Sequence, residues 1–180
     1  ILAHKQKQAK SLDEIMAELD SFIGMKSIKE AIRRLAVQVV FMQQRLQLGI
    51  GSSEPMSLNI VLTGNPGTGK TTIARKMGEM FKAIGLLPTD NVIEVSRNQM
   101  VGKYMGETPK LVNSLCDRAM GGILFIDEAY TLYDADGGNG DKFGKEAVEA
   151  LMKRMEDDKG KFVVIAAGYR KGMETFLKVN

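Results

Sequence analysis

The sequence contains no tryptophan, only four prolines and a single cysteine in 180 residues. A lone cysteine excludes an internal disulfide framework, which is typical of proteins from reducing compartments. Cys116 lies in a segment with helical spacing, where Leu111, Val112, Leu115 and Ala119 are its apolar neighbours. We expect a buried structural thiol there, because cysteine is among the most frequently buried residue types.

Long apolar runs and runs of one charge are also missing. The longest apolar stretches, such as residues 162–168, are far shorter than the roughly 20 residues of a membrane-spanning helix, and the first residues do not resemble a secretory signal. The 25 basic and 22 acidic side chains leave a net charge of +3 without a basic stripe. We therefore expect a cytoplasmic protein whose partners are neither membranes nor nucleic acids.

The length and a hydrophobic content of 44% suit one well-buried domain. Polar residues 5–10 predict a linker, followed by a short helix over Ser11–Asp20. A longer amphipathic helix is predicted over Met25–Leu48, because apolar residues recur there on one helical face. We divide the chain into an N-terminal linker and helix, residues 1–20, and a main domain, residues 21–180.

Downstream of residue 55, short apolar runs alternate with helical patterns. Strands are predicted over Leu58–Thr63, Val92–Val95, Ile123–Asp127 and Phe162–Ala167, and helices over Lys70–Ile84, Pro109–Met120 and Lys145–Glu156. Strands that are apolar on both faces and joined by helices imply a parallel sheet covered on both sides. The predicted class is therefore an α/β fold of three layers.

The first strand runs directly into GNPGTGKTT, a full match to the phosphate-binding loop pattern in its required strand-to-helix context. Glycines let the loop curl so that its amides face phosphate oxygens. Lys70 is predicted to reach the β- and γ-phosphates, and the Thr71 hydroxyl to bind magnesium. The residues assigned to the nucleotide here are Gly64, Asn65, Pro66, Gly67, Thr68, Gly69, Lys70, Thr71 and Thr72.

A second element, GGILFIDE over residues 121–128, is an apolar strand that ends in two carboxylates. We expect Asp127 to hold the magnesium ion through water, and Glu128 to polarise a water for attack on the γ-phosphate, with Lys70 as its catalytic partner. A kinase that phosphorylates a small acceptor does not need the water-polarising glutamate. The pair therefore favours ATP hydrolysis.

These motifs, together with VGKYMGET, KFGKEAVEALMKRMED and FVVIAAGY, resemble the AAA+ ATPases. The resemblance is closest to the branch that contains stage V sporulation protein K and the red-type Rubisco activases, and it covers the chain from about Leu12. It implies the large subdomain of a P-loop NTPase and a motor, usually a hexameric ring, that pulls a polypeptide through a central pore with ATP and Mg²⁺.

The same resemblance assigns roles to two further segments. It implies that Phe22, Ile23 and Gly24 pack on the adenine, whereas helix-start rules alone predict that Phe22 and Ile23 form a hydrophobic staple. The pore loop that grips substrate matches KYMG, which is Lys103, Tyr104, Met105 and Gly106. The alternative for that loop is a Tyr–Met pair folded back onto the domain. Thr108 is predicted to cap the following helix, with Pro109 at its first position.

The chain also departs from the family pattern. The arginine finger, fifth strand and helical lid of the family would follow Asn180, so we expect a truncated domain that hydrolyses ATP slowly or not at all. Gly168, Tyr169 and Arg170 stand where many AAA+ proteins have an asparagine as first sensor. In the family strand order, 5-1-4-3-2, the first strand becomes an edge that tends to pair with another chain. Residues 134–141 resemble a second pore-facing insertion.

Three classes of function stay open at this point. The leading hypothesis is an ATP-driven motor that remodels a protein complex. The second is a nucleotide-controlled protein-binding module with little turnover. The third, an AAA+ protein acting on DNA, is disfavoured by the tyrosine-bearing loop and the missing basic stripe. The sequence does not select a target among those of the resembling proteins.

Overall fold

The computed structural model describes residues 10–22, 26–50, 57–65, 67–133 and 142–179. Seven α-helices and one 3-10 helix alternate with four strands in this part of the chain. The helices are α1 (Leu12–Ser21), α2 (Lys26–Gln47), α3 (Lys70–Ala83), α4 (Arg97–Met100), α5 (Glu107–Ala119), α6 (Lys142–Asp157) and α7 (Arg170–Val179), with the 3-10 helix at Ala129–Leu132. The strands are β1 (Asn59–Thr63), β2 (Val92–Val95), β3 (Ile123–Ile126) and β4 (Val163–Gly168).

The four strands form one parallel sheet in the order β1-β4-β3-β2. One row across the sheet runs from Ile60 through Ile165 and Phe125 to Glu94. The predicted α/β class, the parallel sheet and the position of β1 at an edge of the described sheet are confirmed. β1 differs from the central strands, because its residues alternate between exposed and half-buried, whereas β3 is buried throughout.

Two hydrophobic cores lie on opposite faces of the sheet. Alternate residues of β3 point to opposite faces, so that Ile123 and Phe125 join the core under α1, α2 and α3, while Leu124 and Ile126 join the core under α5, α6 and the 3-10 helix. Cys116 is buried in the second core, as predicted, and burial raises the pKa of its thiol to about 11. The result is a three-layer sandwich.

Helix α1 is packed against the main domain. It begins with a capping box between Ser11 and Glu14, and it buries Ile15 and Leu19 in the core beneath α3. Lys76 of α3 donates a hydrogen bond to Glu18 of α1, which ties the two helices together at the surface. The N-terminal helix therefore shares a core with the nucleotide-binding fold.

The expected start of helix α5 needs correction. Helix α5 begins at Glu107 after Gly106, whose left-handed backbone (φ 79°) serves as an N-cap without a side-chain hydrogen bond, so Thr108 does not cap this helix. Its buried hydroxyl instead accepts a hydrogen bond from the amide of Gly102 at 3.0 Å.

Within the described residues, no helix has the length and apolar character to cross a bilayer.

Candidate nucleotide site and substrate loop

The candidate site lies at the carboxyl ends of the strands. β1 leads into the glycine-rich loop, β3 leads into Asp127 and Glu128, and β4 lies between them. The Gly64 amide donates to the Gly168 carbonyl at 3.1 Å, and the Asp127 amide donates to the Val95 carbonyl at 2.8 Å. The topology thus places both sequence motifs at the carboxyl ends of the parallel strands, where α/β proteins bind ligands.

The loop after β1 has the tight curvature that a phosphate cradle needs. Gly67 and Gly69 adopt left-handed backbone conformations, with φ of 75° and 78°, which glycine adopts without strain. Thr68 braces the loop, because its hydroxyl donates to the Asn65 carbonyl at 2.7 Å. A Cβ on Gly64 would lie 2.8 Å from that same hydroxyl oxygen, so a side chain at this position would displace the Thr68 hydroxyl. Pro66 lies outside the described residues.

Lys70 opens α3 and turns back over the loop. Its Nζ donates to the carbonyl of Gly64 at 3.2 Å and to the carbonyl of Asn65 at 3.3 Å. Gly69, the N-cap of α3, offers no side chain to the first amides of that helix. The loop therefore presents an ammonium group beside the positive end of a helix dipole, an arrangement that favours an anion.

Thr71 has a partner that the sequence patterns did not identify. Its hydroxyl donates to Oε1 of Glu94 at 3.3 Å, and Oε2 of Glu94 lies 3.8 Å from Arg75. Thr71 and Arg75 are on α3, whereas Glu94 is on β2. Parallel pairing brings these segments together, and no local motif could have revealed the contact.

Asp127 and Glu128 form a sharp turn at the end of β3. The Glu128 amide donates to Oδ1 of Asp127 at 3.1 Å. Glu128 is the only non-glycine residue with positive φ in the described part of the chain (φ 48°, ψ 47°), a conformation that costs about 1 kcal/mol or more. Thr131 holds this strained backbone, because its amide and its hydroxyl both donate to the Glu128 carbonyl.

The Glu128 side chain has two different environments. Its Oε2 is buried and has no hydrogen-bond partner among the described residues. The Glu128 carboxylate, helped by burial, raises the pKa of the Tyr130 phenol to about 12. An orphaned buried acceptor is expensive to maintain, which is characteristic of a site that handles a ligand or a proton.

An apolar cavity of about 180 Å³ adjoins the loop and is lined by Ile28, Leu62, Ile73 and the stem of Lys70, among others. Phe22 is half-buried and packs with the core under α3. Its carbonyl accepts a hydrogen bond from Lys29. The adenine role assigned to Phe22 stays a prediction, and Ile23 and Gly24 lie outside the described residues.

The segment matched to a pore loop is braced at its base and exposed at its tip. The Glu107 carboxylate accepts hydrogen bonds from the amides of Lys103 and Tyr104, at 3.0 and 3.1 Å. The side chains of Tyr104 and Met105 are left 71% and 93% exposed. The alternative of a Tyr–Met pair folded back on the domain is therefore wrong.

The exposed loop follows β2, the edge strand opposite to β1, so it lies apart from the phosphate-binding loop along the sheet. A contact links α4, the helix before this loop, to the 3-10 helix that follows Asp127 and Glu128. Arg97 of α4 donates to the Thr131 carbonyl at 2.7 Å, and Thr131 in turn holds the Glu128 backbone. Residues 134–141, predicted as a second insertion, lie outside the described residues.

The comparisons with known proteins agree with this geometry. Residues 60–178 match the model of the AAA family, ATPases associated with various cellular activities. The chain is 42% identical to protein CfxQ of Xanthobacter flavus over 93% of its length and 52% of that protein. It is 41% identical to stage V sporulation protein K of Bacillus subtilis, over 94% of its length and 51% of that protein.

A third relative is the chloroplastic ribulose bisphosphate carboxylase/oxygenase activase of Cyanidioschyzon merolae, 40% identical over 94% of the chain and 57% of that protein. The chain thus spans about half the length of these curated relatives. It belongs to the AAA ATPase family, as the resemblance of its motifs predicted.

Members of this family generally use ATP with magnesium, and the residues present fit that pair. The uncapped first turn of α3 and the Lys70 ammonium suit phosphate, and the orphaned Oε2 of Glu128 suits a water donor. No three His, Cys, Asp or Glu side chains cluster as metal ligands in the described ranges.

Proposed function

We propose that this domain belongs to an ATP-hydrolysing motor that remodels a protein or protein complex by drawing a polypeptide through the pore of a homo-oligomeric, hexameric ring. The observation that carries the proposal is the exposed Tyr104–Met105 tip on a loop braced by Glu107. A large apolar pair held in solvent by a built loop is an expected contact surface for another chain.

The proposed roles at the nucleotide are those predicted from the sequence, and the geometry of the loop and of the turn at Glu128 supports them. The loop from Gly64 to Thr72 and the Lys70 ammonium would hold the phosphates, and Thr71 and Asp127 would hold the magnesium ion, which neutralises phosphate charge. Glu128 would accept the proton of a water through its buried Oε2. The apolar cavity beside Ile28 offers a surface for the nucleoside.

The experiment compares Tyr104→Ala and Tyr104→Phe in the longest natural form of the protein that contains these residues. Fluorescently labelled casein serves as a generic unfolded polypeptide, and its stimulation of ATP turnover is measured. Tyr104→Ala should abolish stimulation and keep the basal turnover, while Tyr104→Phe should keep both, because the ring supplies the grip. Equal stimulation of all three proteins would overturn the pore assignment.

Glu128→Gln separates the motor from a nucleotide-controlled binding module. Loss of turnover with retained ATP binding, and a ring-sized mass in solution with Mg²⁺ and ATP, would support the motor. Remodelling or partner binding that survives Glu128→Gln unchanged would favour the binding module instead.

A further inference from the structure

The carbonyl of Glu128 receives two hydrogen bonds from one neighbour. The Thr131 amide donates to it at 2.9 Å and the Thr131 hydroxyl donates to it at 2.7 Å, so both donors of Thr131 converge on a single oxygen. Glu128 itself is the N-cap of the 3-10 helix and makes no side-chain hydrogen bond to its first turn. The carboxylate is therefore not used to cap the helix that it begins, and the turn is held through the backbone instead.

Thr131 is anchored in turn from a different element. The Arg97 guanidinium of α4 donates to the Thr131 carbonyl at 2.7 Å. α4 follows β2, the 3-10 helix follows β3, and these two strands pair in the sheet. The 3-10 helix is thus fixed to the end of the neighbouring strand as well as to its own, which limits how far the Glu128 backbone can relax.

The backbone conformation of Glu128 decides where its carboxylate lies, because it sets the direction in which the Cα–Cβ bond leaves the chain. Two costly features meet in this residue: a left-handed backbone, and a buried Oε2 without a hydrogen-bond partner among the described residues. Relaxation to ordinary helical or extended dihedral angles would redirect the side chain. The contacts that prevent this relaxation therefore also fix the position of the carboxylate.

We propose that Thr131 is a positioning residue for ATP hydrolysis: its hydroxyl holds the Glu128 backbone in the left-handed conformation and so aims the carboxylate at the attacking water. This inference rests on the proposed hydrolytic function and adds a residue to it. Thr131 touches neither the nucleotide nor the water in this role and acts only through Glu128. A misplacement of about 1 Å can cost about 100-fold in rate, so loss of this hydroxyl should reduce kcat while the fold persists.

The test separates the hydroxyl of Thr131 from its shape. Thr131→Val removes the hydroxyl and keeps the β-branched side chain, whereas Thr131→Ser keeps the hydroxyl and removes a methyl group. Both variants are made in the longest natural form of the protein. For Thr131→Val we expect kcat for ATP to fall about 10-fold, with KM within about 2-fold of the wild type, and Thr131→Ser should retain most of the wild-type kcat.

Thr175→Val is the matched control for loss of a threonine hydroxyl. The Thr175 hydroxyl donates to the Lys171 carbonyl at 3.2 Å within α7, which is the same kind of bond to a preceding turn. This variant should keep the wild-type kcat. A wild-type kcat for Thr131→Val, or an equal loss of kcat in Thr131→Val and Thr131→Ser, would overturn the inference.

A double-variant cycle shows whether Thr131 acts through Glu128. Mg²⁺–ADP with aluminium fluoride mimics the phosphoryl group with the attacking water in line, so its release rate reports binding of the transition state. Thr131→Val should accelerate this release about 10-fold when Glu128 is present and leave it unchanged in the Glu128→Gln background. Acceleration in neither background, or equal acceleration in both, would contradict a role exerted through Glu128.

Glu128→Gln alone tells failure of this inference apart from failure of the proposed function. If Glu128→Gln abolishes turnover while Thr131→Val keeps the wild-type kcat, the hydrolytic function stands and the inference about Thr131 is wrong. If Glu128→Gln hydrolyses ATP as fast as the wild type, the assignment of Glu128 falls and the inference falls with it.

Discussion

The hydroxyl of Thr71 donates to Oε1 of Glu94 at 3.3 Å, which connects the first turn of α3 to the strand β2. A threonine hydroxyl that donates a hydrogen bond to a carboxylate keeps its oxygen lone pairs free to bind a cation. Partners of this kind orient metal ligands and raise metal affinity in many sites. We therefore expect Glu94 to orient Thr71, the predicted magnesium ligand, without touching the ion itself.

Glu94→Gln should weaken the response to magnesium more than the response to ATP. Because the Glu94 side chain is partly exposed, we expect the half-saturating Mg²⁺ concentration to rise by about 3- to 10-fold, toward the lower end of such effects. The measurement is a Mg²⁺ titration of ATP binding at saturating nucleotide. Glu79→Gln is the control, since Glu79 pairs with Lys76 on the same helix and leaves Thr71 untouched. Equal shifts in both variants would point to net charge alone.

The contact from Arg97 to the Thr131 carbonyl joins the turn at Glu128 to the segment before the exposed loop. Arg97→Gln should therefore reduce the casein stimulation of ATP turnover several-fold and leave basal turnover within about 2-fold of the wild type. Arg118→Gln is the matched control, because Arg118 is an exposed arginine in the last turn of α5. A variant of Arg97 that loses basal and stimulated turnover in proportion would contradict a coupling role.

How far the sequence predicted this site depends on how local each feature is. The loop around Lys70 and the acids at Asp127 and Glu128 were predictable, because glycine spacing and a strand ending are contiguous patterns. Glu94 was missed because its contact with Thr71 spans 23 residues and exists only once β2 and α3 are packed.

Elements of the fold were likewise predictable where a local sequence pattern defines them. Hydrophobic periodicity predicted the four strands to within about one residue, because burial on both faces of a sheet leaves a strong pattern. The start of α5 was misplaced at Thr108 and Pro109, since cap preferences cannot register that Gly106 takes a left-handed conformation two residues earlier. The short α4 and the 3-10 helix were missed because tertiary hydrogen bonds, such as that of Arg97, stabilise them.

Glu18 makes the docking of α1 dependent on pH. Hydrogen bonds from Lys10 and Lys76 lower its pKa from 4.5 to about 2 in the folded protein. Since the folded pKa lies below the ordinary value, the stabilisation is present above about pH 4.5 and is lost as the pH falls toward 2. The melting temperature of the wild type should exceed that of Glu18→Gln at pH 6, and the gap should close below pH 3. Glu14→Gln is an unsuitable control because Glu14 belongs to the capping box, so Glu30→Gln on α2 is used. A gap that stays constant from pH 6 to pH 3 would contradict the assignment.

The exposed edge of β1 should make this chain associate with itself. β1 pairs with β4 on one side only within the described sheet, and Val61 at its centre is 40% exposed. An apolar edge strand offers unpaired backbone groups to another chain, and natural proteins protect such edges with charge. Val61→Lys should therefore shift the solution mass toward the monomer at high protein concentration, whereas Val37→Lys on the exposed face of α2 should not. Sedimentation velocity over a concentration series measures the difference. Monomeric behaviour of the unmodified chain at the highest concentration would contradict pairing through β1, and an equal effect of both lysines would assign the association to general surface hydrophobicity.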